Sequence, residues 1–256
     1  MALGRPARGF TLTELAVVLA IVGLLLGSVM YTLSAQVEQR NFNETRNRLA
    51  EAKELLLAYA IVNGRLPCPA TLASAGVEAP EGGAVACDTN YAGYLPAVTI
   101  GFQPSTNGFG IDAWGNKIRY AVSQTTLPVG TPPHFTNATN LKANGIATKA
   151  NDISICAAWG GSTTDCGTAQ QVTNASSGNR VVAAVIWSQG KNFATVGSGG
   201  ADEAANNKIQ SPPANLNPVF VSHPPTPSGA GEFDDLLIWI TTGELYGRLI
   251  SAGVLP

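Results

Sequence analysis

The chain has 256 residues, of which 45% are apolar and 12% charged, with 28 Gly and 16 Pro. It is too apolar for wholesale disorder and long enough for one or two domains, and its formal charge of −2 offers no general field for holding nucleic acid or an anionic surface. Charge at half the usual ~25% leaves Thr, Asn, Ser and Gln to supply the polar surface, which suits an extracytoplasmic protein.

From the N-terminus, Arg5 and Arg8 precede a run from Leu15 to Val37 that holds no charged residue. At about 1.5 Å per residue such a helix crosses a ~30 Å hydrocarbon core. The basic residues come first, so the N-terminus is expected in the cytoplasm and everything beyond about Val37 outside. An ordinary secretory signal has a shorter apolar core and a small-x-small cleavage site, for which Thr32-Leu33-Ser34-Ala35 is a poor match. Glu14 fits neither reading. A carboxylate at the mouth of an apolar run is costly unless it is paired or lies in a first helical turn, where it complements the helix dipole.

Gly9-Phe10-Thr11-Leu12-Thr13-Glu14-Leu15 resembles the class III leader junction of type IV pilins and pseudopilins. The likeness combines a short basic leader, Gly before an aromatic residue, Glu five positions after that Gly, and about twenty apolar residues. It implies that prepilin peptidase cuts between Gly9 and Phe10 and methylates Phe10, and that Glu14 neutralises the N-terminal amine of a neighbouring subunit during assembly. Thr13 replaces the family's usual aliphatic residue. The implied partners are identical or related pilin subunits in a helical polymer. The implied course is a bacterial inner-membrane precursor followed by a periplasmic or extracellular filament.

Beyond the apolar run, Phe42, Thr45, Leu49, Ala52, Leu56 and Tyr59 form one stripe of an amphipathic helix. Glu38, Arg40, Glu44, Arg46, Arg48, Glu51, Lys53 and Glu54 lie on its other faces and read as a solvated surface, with Arg40/Glu44 and Glu44/Arg48 at pairing distance. Asn63-Gly64, followed by Pro67 and Pro69, ends the helix. Gly23 and Gly27 are its only interior glycines within the apolar run. The expected organisation is a leader (1–9), a helix (10–37 transmembrane and assembly, 38–63 amphipathic) and a globular domain (64–256).

Cys68, Cys87, Cys156 and Cys166 permit three pairings, and the short intervals favour Cys68 with Cys87 and Cys156 with Cys166. A zinc site is disfavoured because neither His134 nor His223 lies near a cysteine in sequence. Strands are expected over Ile118–Val122, Ile153–Ala157, Val181–Trp187 and Leu236–Ile240, a closing helix over Gly243–Ala252, and loops over Leu127–Pro133 and Pro212–Pro227. The fold class is therefore α+β: a long N-terminal helical spine packed on a C-terminal antiparallel sheet domain, as the pilin resemblance also implies.

Asp112-Ala113-Trp114-Gly115-Asn116 reads as a turn with a buried indole, and it resembles a segment of the major pseudopilins of type II secretion. Ser188-Gln189-Gly190, and Asp235 with Trp239, resemble that family's loop and end strand. The likeness implies a calcium ion held before that strand. Asp202, Glu203, Glu232, Asp234 and Asp235 are the available acids, and the candidate set is Asp202, Glu232, Asp234 and Asp235.

Enzyme signatures fail. Ile186 replaces the first Gly of a nucleophile elbow at Ser188, Gly197-Ser198-Gly199-Gly200 lacks the Gly-Lys-Ser/Thr of a phosphate loop, and no His-Glu-x-x-His occurs. The reading is a structural filament subunit that requires no cofactor, with calcium as a candidate ion only. A type II secretion pseudopilin and an uncleaved membrane-anchored binding protein or adhesin are the alternatives.

Overall fold

The computed structural model describes residues 9, 11–82, 87, 92–126, 133–173, 180–194, 200–208, 218–226 and 231–255, without the side chains of residues 28–33. The elements in chain order are α1 (Leu12–Asn63), β1 (Ala92–Tyr94), α2 (Ala97–Ile100), β2 (Arg119–Val122), α3 (Ala138–Asn144), β3 (Ser154–Cys156), β4 (Val182–Ser188), α4 (Ala201–Asn206), β5 (Val219–Val221), β6 (Leu236–Thr241) and α5 (Thr242–Ser251). The chain divides into two units, Met1–Asn43 and Glu44–Pro256, with the boundary inside α1.

In the first unit α1 carries no charged residue from Leu15 to Gly27, and its large apolar side chains there are exposed. Among the described residues no helix is long and apolar enough to cross a membrane. The segment expected to do so, 10–37, includes Phe10, which lies outside the described residues, and positions 28–33, whose side chains do too.

The second unit is an α+β domain in which residues 44–63 of α1 pack on a four-stranded antiparallel sheet of order β1-β2-β4-β6. The expected stripe is the buried one: Thr45, Leu49, Ala52 and Leu56 have no exposed surface. Gly64, at φ 67°, ends the helix as its position suggested, its N–H donating to the Ala60 carbonyl at 2.8 Å. The charged faces are less free than expected. Glu44 pairs with Arg48 at 2.6 Å, but Lys53 and Glu54 reach Glu244 and Arg248 of α5, at 2.8 and 3.0 Å.

β4 is one of the two interior strands and is buried along its whole length. On one face Val185 and Trp187 pack with Ile153, Ile155 and Phe220, and the Trp187 and Phe220 rings meet edge-on at 5.0 Å. Those three partners belong to or adjoin β3 and β5, a parallel two-stranded pair that the sequence reading lacked. Val219–Val221 is a strand inside the expected loop Pro212–Pro227, of which residues 212–217 and 227 lie outside the described residues: a three-residue strand shows no alternation long enough to read. The other expected strands form within a residue or two of their predicted bounds, and the closing helix is α5. Both disulfides have the sequential pairing, Cys68–Cys87 and Cys156–Cys166.

Candidate functional site

At the start of α1, Thr11 and Glu14 form a reciprocal cap. The Thr11 N–H and hydroxyl donate to Glu14 Oε2 at 2.9 and 2.8 Å, and the Glu14 N–H donates back to Thr11 Oγ1 at 3.3 Å. Thr-x-x-Glu at a helix start satisfies orphan amides in both directions, so the carboxylate has a local role and still faces outward. Gly9 is exposed, and a Cβ added there meets nothing, so the chain's own packing does not demand glycine. The large apolar residues from Leu12 to Leu26 are 44% to 85% exposed, a surface that water does not tolerate without a cover.

The second constellation lies where three strand ends meet. Antiparallel register sets Trp187 opposite Arg119 and Ser188 opposite Leu236. The turn before β2, the loop after β4 and the acids before β6 therefore converge. In the turn, Asp112 Oδ1 accepts the N–H groups of Trp114 and Asn116 at 2.9 and 2.8 Å, and Gly115 supplies the positive φ of 87°. Asp112 Oδ2 accepts the Ser188 hydroxyl at 2.6 Å, and Asn116 Nδ2 donates to the Gly190 carbonyl at 2.6 Å. Asp112 is buried while the Trp114 indole is half-buried, so the carboxylate rather than the ring anchors the turn. On the helix side Thr45 Oγ1 accepts the Ala113 N–H at 3.1 Å, and Arg48 donates to the carbonyls of Ile111 and Asp112 at 2.8 and 3.0 Å.

Beyond Gly190 the same loop meets the acids. The N–H groups of Lys191 and Asn192 donate to Asp234 Oδ2 at 2.9 and 3.1 Å. Asn192 Nδ2 donates to both oxygens of Glu203 at 3.1 Å, and the Asp234 N–H donates to Glu203 Oε1 at 2.9 Å. Asn206 Nδ2 donates to Asp235 Oδ2 at 2.8 Å. Glu203, Asp234 and Asp235 are all buried, each offering a carboxylate oxygen within 4.8 Å of the others. Burial pushes the carboxyl groups of all three above their ordinary values, Asp235 furthest.

Asp234 and Asp235 thus stand together as the sequence suggested, but their companion is Glu203, which had been counted among the available acids and left out of the set. Asp202 turns elsewhere. Its Oδ1 accepts the Trp159 N–H at 2.5 Å and its Oδ2 faces His223 Nε2 at 3.2 Å, while that imidazole stacks on Phe233. Glu232 lies outside the three and contributes a negative field that raises Asp234 further. What singles out Glu203 is α4, a six-residue helix without a side-chain cap that carries Glu203 and Asn206 toward β5 and β6.

The triad fits a hard cation. Its donors are all oxygen, its three carboxyl groups are buried together, and Asp234 Oδ1 is buried without a hydrogen-bond partner. Gly190, at φ 64°, leaves the room for that oxygen: a Cβ there would stand 1.9 Å from it.

Comparison with known families finds the prokaryotic N-terminal methylation motif over residues 4–30. The chain carries a class III prepilin leader of the kind typical of type IV pilins and pseudopilins. Leader and disulfides together point to an inner-membrane precursor with an extracytoplasmic domain. Neither the curated proteins nor the solved structures give a match to this chain.

Proposed function

We propose that the chain is a structural subunit of a type IV filament, a pilus or minor pilin. It is made as an inner-membrane precursor, cut by prepilin peptidase between Gly9 and Phe10, methylated on Phe10, and assembled through α1. The observation that carries this reading is a methylation motif running directly into a helix whose large apolar residues, Leu12 to Leu26, lie exposed. The bilayer covers residues 10–37 before assembly, and the same helix of neighbouring subunits covers them afterwards. Glu14, exposed and held by Thr11, meets the Phe10 amine of a neighbour in this reading, which its exposure supports, since a cation and a carboxylate entering an apolar bundle are tolerable only together.

A pseudopilin of type II secretion is the second reading. It is favoured by the meeting of Asp112, Asn116, Ser188, Gly190 and Asp235 around one end of the sheet, as the likeness of those passages implies. On either reading Glu203, Asp234 and Asp235 hold a divalent cation of the calcium class. When bound, that ion supplies positive charge among three buried carboxyl groups.

The test is Glu14→Ala as the only copy of the gene. Sheared filament yield should fall by on the order of a hundredfold, the consequence of a broken buried ion pair, while cleaved subunit accumulates in the membrane. Unchanged filament yield would reduce Glu14 to a helix cap.

A further inference from the structure

Residues 188–192 are shared between two structures that the sequence keeps far apart. Their first half serves the turn: the Ser188 hydroxyl donates to Asp112 Oδ2, the Gly190 N–H donates to Ser188 Oγ at 3.2 Å, and the Gly190 carbonyl accepts from Asn116. Their second half serves the acids, through the Lys191 and Asn192 N–H groups on Asp234 and the Asn192 side chain on Glu203. Between the halves, Gly190 is pressed against the unpartnered Asp234 Oδ1. The loop therefore cannot shift at one end without disturbing the other. At its far side the turn is held to α1 by Thr45 and Arg48.

The geometry points to a coupling between the acidic site and the spine helix, with Asn116 as the positioning residue: a cation on Glu203, Asp234 and Asp235 fixes residues 188–192, and through Asn116 fixes the 112–116 turn on Thr45 and Arg48. The inference rests on the cation reading above. With the site empty, Asp234 Oδ1 is left buried against Gly190 without a partner; with the site filled, Asp234 is fixed and so is the Gly190 carbonyl that Asn116 grips. Both ends bias one element, the loop, which is what a coupling between distant sites requires. The domain's hold on its helix then depends on extracytoplasmic divalent cation.

The test uses the full chain in detergent, stripped with EDTA and reloaded with calcium. Binding is read by equilibrium dialysis and local order by hydrogen exchange. Calcium should slow exchange in peptides covering residues 186–194, 110–118 and 44–52 by about fivefold or more, the lower end of ordinary coupling. Asn116→Ala should keep calcium binding and the slowing at 186–194, and lose the slowing at 110–118 and 44–52. Asn116→Asp preserves the size of the side chain while removing the donor to Gly190, and should behave alike if the alanine variant folds poorly. Calcium binding by the wild type without slowing at 110–118 would overturn the coupling and leave the site standing. Slowing that survives in both Asn116 variants would overturn it as well. No calcium binding by the wild type would overturn the site and the coupling together.

Discussion

One helix serves two surroundings, and its two parts differ in what they bury. Residues 12–27 show large apolar side chains that are exposed, and their polar feature is the Thr11–Glu14 cap. Residues 44–63 show a single buried stripe, with charges committed to Arg48's contacts with the 111–112 carbonyls and to the pairs with α5. A helix that is apolar all round is built to be covered by lipid or by other helices, whereas a striped one is built for one neighbour. On the filament reading proposed above, assembly and folding fall to separate parts of α1, so substitutions should separate them.

The largest contrast is the same change made in both parts. Leu49→Ala leaves a cavity beneath a fully buried position and should cost the domain ~2–5 kcal/mol. Leu24→Ala, at a position 77% exposed, should change domain stability by less than about 0.5 kcal/mol. All four tryptophans lie beyond residue 43, so denaturation followed by tryptophan fluorescence reports the domain alone. Equal losses from the two changes would break the division.

A second contrast is between an exposed charge and a buried one. Lys208 is buried, its ammonium donating to the carbonyls of Ala205 and Val219 at 2.9 and 2.6 Å beside the Phe220 ring. Burial pulls its pKa down to about 7, from 10.5. Below pH 7 folded and unfolded chains both carry the proton, and the folded one bears the full cost of the buried charge. Between about 7 and 10.5 the unfolded chain holds more protons, so stability rises with pH. Lys208→Met should therefore be more stable than the wild type at pH 6, with the gap closing toward pH 10. Urea midpoints for both proteins across that range measure it, and a gap independent of pH would contradict the assignment.

Gly190→Ala follows in size. A positive φ of 64° and a Cβ placed 1.9 Å from Asp234 Oδ1 should cost at least ~1–3 kcal/mol and weaken calcium binding, both readable by titration. The smallest effect belongs to the exposed Arg248–Glu54 pair. Arg248→Ala should cost less than about 1 kcal/mol, and the loss should shrink in salt.

What was legible follows from the length of each pattern. The stripe from Phe42 to Tyr59, its end at Gly64, the long strand at 182–188 and the helix at 242–251 are extended periodic signals, and each forms where the residues place it. The disulfides were legible because short loops close at the lowest entropic cost. β5, α4 and the choice of Glu203 over Asp202 were not. These are elements of three and six residues, fixed by partners far away in sequence: β5 by β3, and Glu203 by Asn192 and Asp234. The Asp112–Asn116 turn could be read as a turn, but its grip on Gly190 arises only once β2 and β4 pair.

The central claim is a filament subunit released from its leader at Gly9, and mass spectrometry of the N-terminus of membrane-extracted protein tests it most directly. The account predicts a mature chain that begins at Phe10 and carries one methyl group, and a Gly9→Val variant that keeps residues 1–9 because a branched side chain obstructs the extended backbone the peptidase grips. A wild-type chain that still begins at Met1, or that starts near Ser34-Ala35, would contradict it.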